Sequence, residues 1–160
     1  MEFALRGHNF AARGGKRTMT VSEFQSEMRR RSQNIKSDLG KAITNSCQLV
    51  ENTAKKGMTD TSIDTSKTYK HNHHPSVEFD YPAIDYGKLV QSVTHDVEEN
   101  GSEVVGRVGS MQKEGVYTEL GTTRMSPRPW LKPSLANNRE KIHSLILNAV
   151  KGRPVDVGFE

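Results

Sequence analysis

Cysteine and tryptophan each occur once among the 160 residues, and these two scarcities limit what kind of protein the chain can form. The single cysteine, Cys47, excludes an intrachain disulfide and is typical of a reducing cytoplasm. Aromatic residues make up 6% of the sequence and hydrophobic residues 33%, which is less apolar material than soluble domains usually contain. We therefore expect a chain that folds but relies on neighbouring subunits to bury part of its apolar surface.

Long apolar runs and enzyme motifs are also missing. No segment approaches the ~20 apolar residues of a membrane span, and the first residues lack the apolar stretch of a secretory signal. The glycine-containing run at 14–18 lacks the preceding strand and the first spaced glycine of a phosphate-binding loop, and no zinc-protease, serine-hydrolase or dithiol motif occurs. Cys47 falls on an apolar helical stripe, where a buried small side chain is expected rather than a nucleophile. We expect neither catalysis nor a cofactor.

A polar stretch contains three closely spaced histidines: His71, His73 and His74. A metal-dependent enzyme built on these residues and Asp80 is one hypothesis, which metal analysis of the purified protein would test. Structural zinc sites usually have four well-spaced ligands, and no cysteine lies nearby. We expect no metal site.

The chain is mildly basic, with a formal net charge of +4. Basic residues concentrate at 1–18, which we interpret as a basic N-terminal arm. Such a charge permits contact with nucleic acid, but an ordinary solvated surface has the same composition. A small basic DNA-binding protein that uses a long helix is therefore an alternative function.

The clearest secondary-structure signal is the start of a long helix. Thr20 and Glu23 form a capping box, and Gly57 supplies a stop signal after two lysines. The pattern predicts a helix over 21–56, about 50 Å long at ~1.5 Å per residue. Apolar residues recur at helical spacing along it: Phe24, Met28, Ile35, Leu39, Ile43, Cys47, Val50 and Ala54. Basic residues outside this stripe face solvent, a partner or DNA phosphate: Arg29, Arg30, Lys36 and Lys41.

The middle of the chain predicts a loop and then a β-hairpin. Residues 58–83 lack periodicity, apart from a short strand predicted by the alternation of Val77, Phe79 and Tyr81. A helical turn at 87–89 leads into a strand at 92–98, and the dipeptide at 100–101 is a strong hairpin signal. The return strand covers 103–109. Gly106 and Gly109 indicate a bulge or close packing against the long helix.

Residues 117–135, called the proline segment below, contain three prolines and the only tryptophan. Pro127, Pro129 and Pro133 exclude helix interior and central strand for most of this segment. We predict a brief strand or turn at 116–120, then a rigid extended connection that docks against another surface. Pro133 is predicted as the first residue of a final helix, which ends at Gly152. Its apolar stripe consists of Leu135, Ile142, Leu145, Ile146 and Ala149.

These elements predict an α+β fold, in which the long N-terminal helix and the C-terminal helix pack on a small antiparallel sheet. The proline segment forms an extended arm on this fold. We expect one domain over 19–152, with a mobile loop at 58–83 and a C-terminal tail at 153–160.

Two motifs resemble a family of phage morphogenesis proteins. The first reads Tyr86-Gly-x-Leu89-x-x-Ser92-Val93, and the second reads Tyr117-x-Glu119-Leu-Gly121-Thr122-Thr123-x-Met125-x-Pro127-x-Pro129-Trp130-Leu131-x-Pro133-x-Leu135. The family comprises the neck, or head–tail joining and tail-completion, proteins of long-tailed double-stranded-DNA bacteriophages, akin to the minor tail protein Z group. The resemblance covers about residues 20–150. Trp130 stands where the family usually has Phe, and Ser134 stands where it usually has Ala.

The resemblance implies a structural virion protein, assembled in the bacterial cytoplasm, that forms a ring at the head–tail junction. Rings there are commonly six-fold and continue the DNA channel, between head-closure or connector proteins and tail-terminator or tail-tube proteins. The implied subunit contacts are Tyr117, Glu119, Gly121, Thr122, Met125, Pro127, Pro129, Trp130, Leu131 and Pro133. The basic candidates facing rim, channel or DNA are Arg29, Arg30, Lys36, Lys41, Arg124 and Arg128.

Trp130 has two interpretations. It anchors in a neighbouring subunit, in which case Trp130→Ala leaves a folded chain that no longer forms rings. Alternatively, it covers the core of its own chain beside the C-terminal helix.

Overall fold

A computed structural model describes residues 19–67, 74–101 and 103–154. The predictions for the basic arm at 1–18, for His71 and His73, and for residues 155–160 lie outside these ranges. The elements are α1 (Val21–Asp60), α2 (Lys88–Ser92), β1 (Val93–Asn100), β2 (Glu103–Ser110), α3 (Lys113–Leu120) and α4 (Leu131–Val150). The mixed composition of helices and one antiparallel sheet confirms the α+β fold class.

Helix α1 begins as predicted and ends later than predicted. The Thr20 hydroxyl accepts a hydrogen bond from the Glu23 N–H, while a Glu23 carboxylate oxygen accepts one from the Thr20 N–H at 2.8 Å. The helix continues through Gly57 to Asp60, so the predicted stop at Gly57 is wrong. A Cβ at Gly57 would overlap the ring of Tyr81. Glycine is therefore placed here by the close packing of that ring rather than by a helix end.

The β-hairpin follows α2 directly and confirms the two predicted strands. The strands are antiparallel, with Val93 opposite Ser110 and Asn100 opposite Glu103. Asn100 thus still belongs to the strand, and Gly101, with φ 55°, begins the turn. Gly106 packs closely on α1 as expected, since a Cβ there would overlap Cys47 Sγ.

Helix α4 runs antiparallel to α1 and packs along it. Near its start, the Asn138 amide donates to Thr53 Oγ1 at 2.8 Å. Near its end, Leu145 and Ala149 form a buried cluster with Ala42. The predicted stop at Gly152 is confirmed: Gly152, with φ 64°, and Arg153 donate back to the carbonyls of Ala149 and Asn148, which is a Schellman motif.

The main core lies where the C-terminal half of α1 meets the start of β1. It consists of Ala54, Met58, Val93 and Trp130, surrounded by the half-buried Tyr81, Leu89, Val90 and Leu131. Within the three described ranges, no helix is long and apolar enough to cross a membrane.

The predicted strand at 77–81 and the predicted strand or turn at 116–120 are both wrong. Residues 77–81 contain a turn with Phe79 at φ 67°, and the neighbouring ladder contact is a single bridge between Ile63 and Ser76. Residues 116–120 belong to helix α3. Val116 and Leu120 are four residues apart, a helical spacing, so an extended conformation was not required by their pattern.

Candidate functional site

The proline segment docks against its own chain. Trp130 is 3% exposed within the main core, and its indole Nε1–H donates to the Gly115 carbonyl at 2.9 Å. The prediction that Trp130 anchors in a neighbouring subunit is therefore wrong, because its surface is already covered. The alternative, in which Trp130 covers the core of its own chain, is confirmed.

Glu119 holds the beginning of α4. Its carboxylate accepts hydrogen bonds from the backbone N–H groups of Trp130, Leu131 and Lys132 at 2.7, 2.8 and 3.0 Å. Pro133 follows at the third helical position, not at the predicted first position, and has no N–H to satisfy. An acidic group at a helix N-terminus also opposes the positive end of the helix dipole. Glu119 therefore fixes the angle between α3 and α4 and is occupied within its own chain.

Gly121 makes the turn that returns the chain toward the core. Its φ is 75°, and a Cβ would lie 2.9 Å from the Met125 carbonyl oxygen and 3.0 Å from the Pro127 nitrogen. The adjacent turn is closed by a bridge between Thr122 and Met125. Pro127 and Pro129 are half-buried, and the Pro127 carbonyl accepts from the Phe79 N–H at 3.0 Å. These predicted subunit contacts shape the proline segment within its own chain. Among them, Thr122 is exposed.

Arg128 is buried rather than facing a channel. Its Nε–H donates to the Ser76 carbonyl at 3.2 Å and its Nη1–H donates to the Ser126 carbonyl at 3.4 Å. The prediction that Arg128 contacts DNA or lines a rim is wrong, because this guanidinium closes the 74–80 loop over the proline segment. Arg124 is exposed.

Helix α3 carries an exposed apolar face. Tyr117 is 51% exposed, and Val116 and Leu120 are more exposed still. Tyr117 is thus the large apolar candidate of the proline segment that remains accessible on the surface.

A second exposed apolar face lies on residues 21–35 of α1, called the α1 extension below. Its apolar side chains follow a heptad spacing of three and four residues, with one arginine among them: Val21, Phe24, Met28, Arg31 and Ile35. Phe24 is 57% and Met28 50% exposed. The same stripe becomes buried further along, at Cys47, Val50 and Ala54, where the hairpin and α4 cover it.

The α1 extension is also rich in charged residues. Arg30 and Arg31 both bond to the Glu27 carboxylate, at 2.9 and 3.0 Å, and these bonds lower the pKa of Glu27. Arg29 is exposed on the same helix. Lys36 and Lys41 line a shallow polar groove of about 540 Å³ between α1 and Glu99, and Lys41 pairs with Asp38 at 3.3 Å.

An apolar cleft of about 300 Å³ lies at the opposite end of the molecule. It is bounded by the C-terminal part of α1, by the loop before α2 and by α3. We call it the apolar cleft below. Its lining includes Met58, Pro82, Ile84, Leu89 and Val90, together with Asp85, Lys88 and Glu114. Ile84 is 45% exposed. This cleft was not predicted from the sequence because residues 82–86 have no periodicity of their own; the available signal was an apolar cluster directly after a proline.

The chemically reactive side chains described next make contacts within the fold. Burial raises the pKa of the Cys47 thiol, which favours the unreactive neutral form. His95 Nδ1 lies 2.6 Å from Glu51, whose other oxygen bonds to Lys55, so the imidazole links β1 to α1. Among the described residues, no group of three His, Cys, Asp or Glu side chains is placed to hold a metal ion. His74 bonds instead to the Lys67 carbonyl at 3.0 Å.

Comparisons with protein-family models, with curated proteins and with solved structures return no match to this chain.

Proposed function

We propose that this chain is a structural subunit of a ring at the head–tail junction, or neck, of a tailed bacteriophage. The observation that carries the proposal is the pair of exposed apolar surfaces at opposite ends of one long helix, the α1 extension and the apolar cleft. A chain with 33% hydrophobic residues that still leaves such surfaces uncovered is suited to permanent assembly. The resemblance of residues 86–93 and 117–135 to neck and tail-completion proteins supplies the location.

Two different surfaces on one subunit favour a ring over a two-fold dimer. A dimer with two-fold symmetry uses the same patch on both subunits, whereas a contact between different patches continues to a third subunit and closes when the rotation permits. In such a ring the proline segment acts inside each subunit. Through Glu119 and Trp130 it fixes α3 and α4 against α1, so that the subunit presents its outer surfaces in one geometry.

The mass of the purified oligomer tests this proposal. We expect native mass spectrometry and multi-angle light scattering to give a closed oligomer, with six subunits as the first expectation. Negative-stain images should show rings with a central opening. A chain that remains monomeric at high micromolar concentration contradicts the proposed function.

A second candidate is non-specific contact between α1 and DNA. It is favoured by four basic residues outside the apolar stripe, all of them exposed: Arg29, Arg30, Lys36 and Lys41. Phosphate contacts of this kind give an affinity that falls steeply with salt. Fluorescence anisotropy with a duplex of random sequence, at increasing salt, tests this candidate; affinity that does not change with salt contradicts it.

A further inference from the structure

We propose that the α1 extension of one copy of this chain docks in the apolar cleft of the next copy. This contact rests on the proposed ring and names its two surfaces. The inserted face consists of Val21, Phe24, Met28, Arg31 and Ile35. The receiving surface is formed by Ile84, Leu89, Val90 and the neighbouring lining of the cleft, above the buried Met58.

The length of α1 excludes contact between these two surfaces within one chain. Met28 and Met58 lie on the same uninterrupted helix, ~45 Å apart at ~1.5 Å per residue. The first residues of α1 therefore cannot reach the cleft beside Met58 of their own chain. A second copy can supply the helix, because both surfaces are present on every copy.

The shapes of the two surfaces agree. An amphipathic helix binds in an apolar groove through side chains at i, i+3 or i+4, and i+7. Val21, Phe24 and Met28 have this spacing and are all at least half exposed. The cleft, of about 300 Å³, accommodates an aromatic side chain such as Phe24.

The charges agree as well. Arg31 lies among the apolar residues of the extension, so docking this face brings its guanidinium to the surface of the partner. Arg31 already pairs with Glu27 of its own helix at 3.0 Å, but residues 21–35 contain three arginines and two glutamates and so carry a net charge of +1. The cleft lining contains two carboxylates, Asp85 and Glu114, and one lysine, Lys88, and so carries a net charge of −1. A bundle of α1 extensions would instead bring together segments that all carry a net positive charge, and juxtaposed like charges are unfavourable. The charge pattern therefore favours the cleft over a second extension.

Three full-length variants separate these arrangements. Phe24→Asp disrupts the inserted face, and Ile84→Asp disrupts the cleft. Gln33→Asp is the matched control, since it introduces the same charged side chain on the opposite face of the extension. We expect the control to form rings like the wild type. The other two should dissociate at concentrations about tenfold higher or more, while keeping the wild-type far-ultraviolet circular dichroism spectrum.

Mixing the two disrupted variants provides the decisive measurement. Phe24→Asp retains an intact cleft and Ile84→Asp retains an intact extension, so we expect a one-to-one heterodimer that grows no further. The charge contact predicts that Arg31→Glu also weakens assembly and that adding Glu114→Arg to the same chain restores it.

Several outcomes overturn the docking. The docking is overturned if rings persist in Phe24→Asp or Ile84→Asp, or if the mixture of the two variants stays monomeric. In either case the proposed ring itself still stands. Vesicles of phosphatidylserine test a different partner for the extension. If wild type binds them and Phe24→Asp does not, while both form the same rings, the extension is assigned to a lipid surface instead. A monomeric wild type contradicts the ring and the docking together.

Discussion

At the scale of single residues, Trp130 and Glu119 have closely linked roles. The Trp130 indole fills the core, while its backbone N–H is one of three that the Glu119 carboxylate binds. Both interactions connect Trp130, at the start of α4, to parts of the chain on the other side of the turn that separates α3 from α4. The sequence indicated a stiff segment with one large aromatic residue. In the structure, this segment holds α4 in its position.

Replacing Trp130 tests this role. Truncating a buried Trp to Ala typically costs about 3–5 kcal/mol, so we expect Trp130→Ala to lower the urea midpoint strongly or to prevent folding. Trp130→Phe keeps most of the packing and loses the hydrogen bond to the Gly115 carbonyl, so it should lose much less stability. A Trp130→Ala chain with wild-type stability would contradict the assignment of Trp130 to the core.

The Glu51 carboxylate gives the fold a dependence on pH. Burial raises the pKa of Glu51, but hydrogen bonds from His95 and Lys55 outweigh burial and hold the pKa below its usual range. Since the folded pKa is the lower one, the ionised carboxylate stabilises the fold above about pH 4.3, the ordinary value for glutamate. This contribution is lost as the pH falls through the folded pKa.

We therefore expect wild type to be more stable than Glu51→Gln near neutral pH, and the difference to shrink toward pH 3. Urea unfolding at a series of pH values measures it. Glu140→Gln, a substitution at an exposed position of α4, serves as the control. A difference between wild type and Glu51→Gln that is constant across this range would contradict the prediction.

At the scale of elements, local signals predicted what local physics determines. The capping box set the start of α1, and the hairpin strands matched to within a residue or two. The end of α1 could not be predicted, because Gly57 resembles a stop in sequence while its real reason is the ring of Tyr81 across the fold. The cleft beside Met58 could not be predicted for the same reason, since three segments that are distant in sequence form it.

Gly106 provides a prediction at this scale. A Cβ there would overlap Cys47 Sγ and lie 2.7 Å from Ile43 Cγ2, so the hairpin would have to move away from α1. Overpacking of this kind typically costs about 1–3 kcal/mol. We expect Gly106→Ala to lower the melting temperature.

Gly109→Ala is the matched control on the same strand. A Cβ at Gly109 meets no atom within 4 Å in the part of the chain that the structure describes. It should leave the melting temperature nearly unchanged. Equal effects of the two substitutions would contradict the close packing of hairpin and helix.

At the scale of the whole molecule, the packing is uneven along α1. The residues that α1 buries all lie between Gly40 and Met58, while its first turns are exposed. Stability follows packing, and segments with few buried contacts open locally at little cost in free energy.

Hydrogen exchange detects this unevenness. In dissociated chain, we expect backbone amides in 24–35 to exchange much faster than those in 47–58. Assembly should slow exchange in 24–35 and leave 47–58 nearly unchanged. Equal protection of both segments in the dissociated chain would contradict the uneven packing.

The continuity of α1 also restricts how the length of this protein can vary. Each residue added between the exposed first turns and Gly40 rotates those turns by about 100° relative to the rest of the molecule. A single insertion would therefore turn Phe24 and Met28 away from their present direction, whereas an insertion of seven residues would nearly restore it and shift them ~10 Å outward. Homologous chains are expected to differ in this helix by three, four or seven residues rather than by one or two.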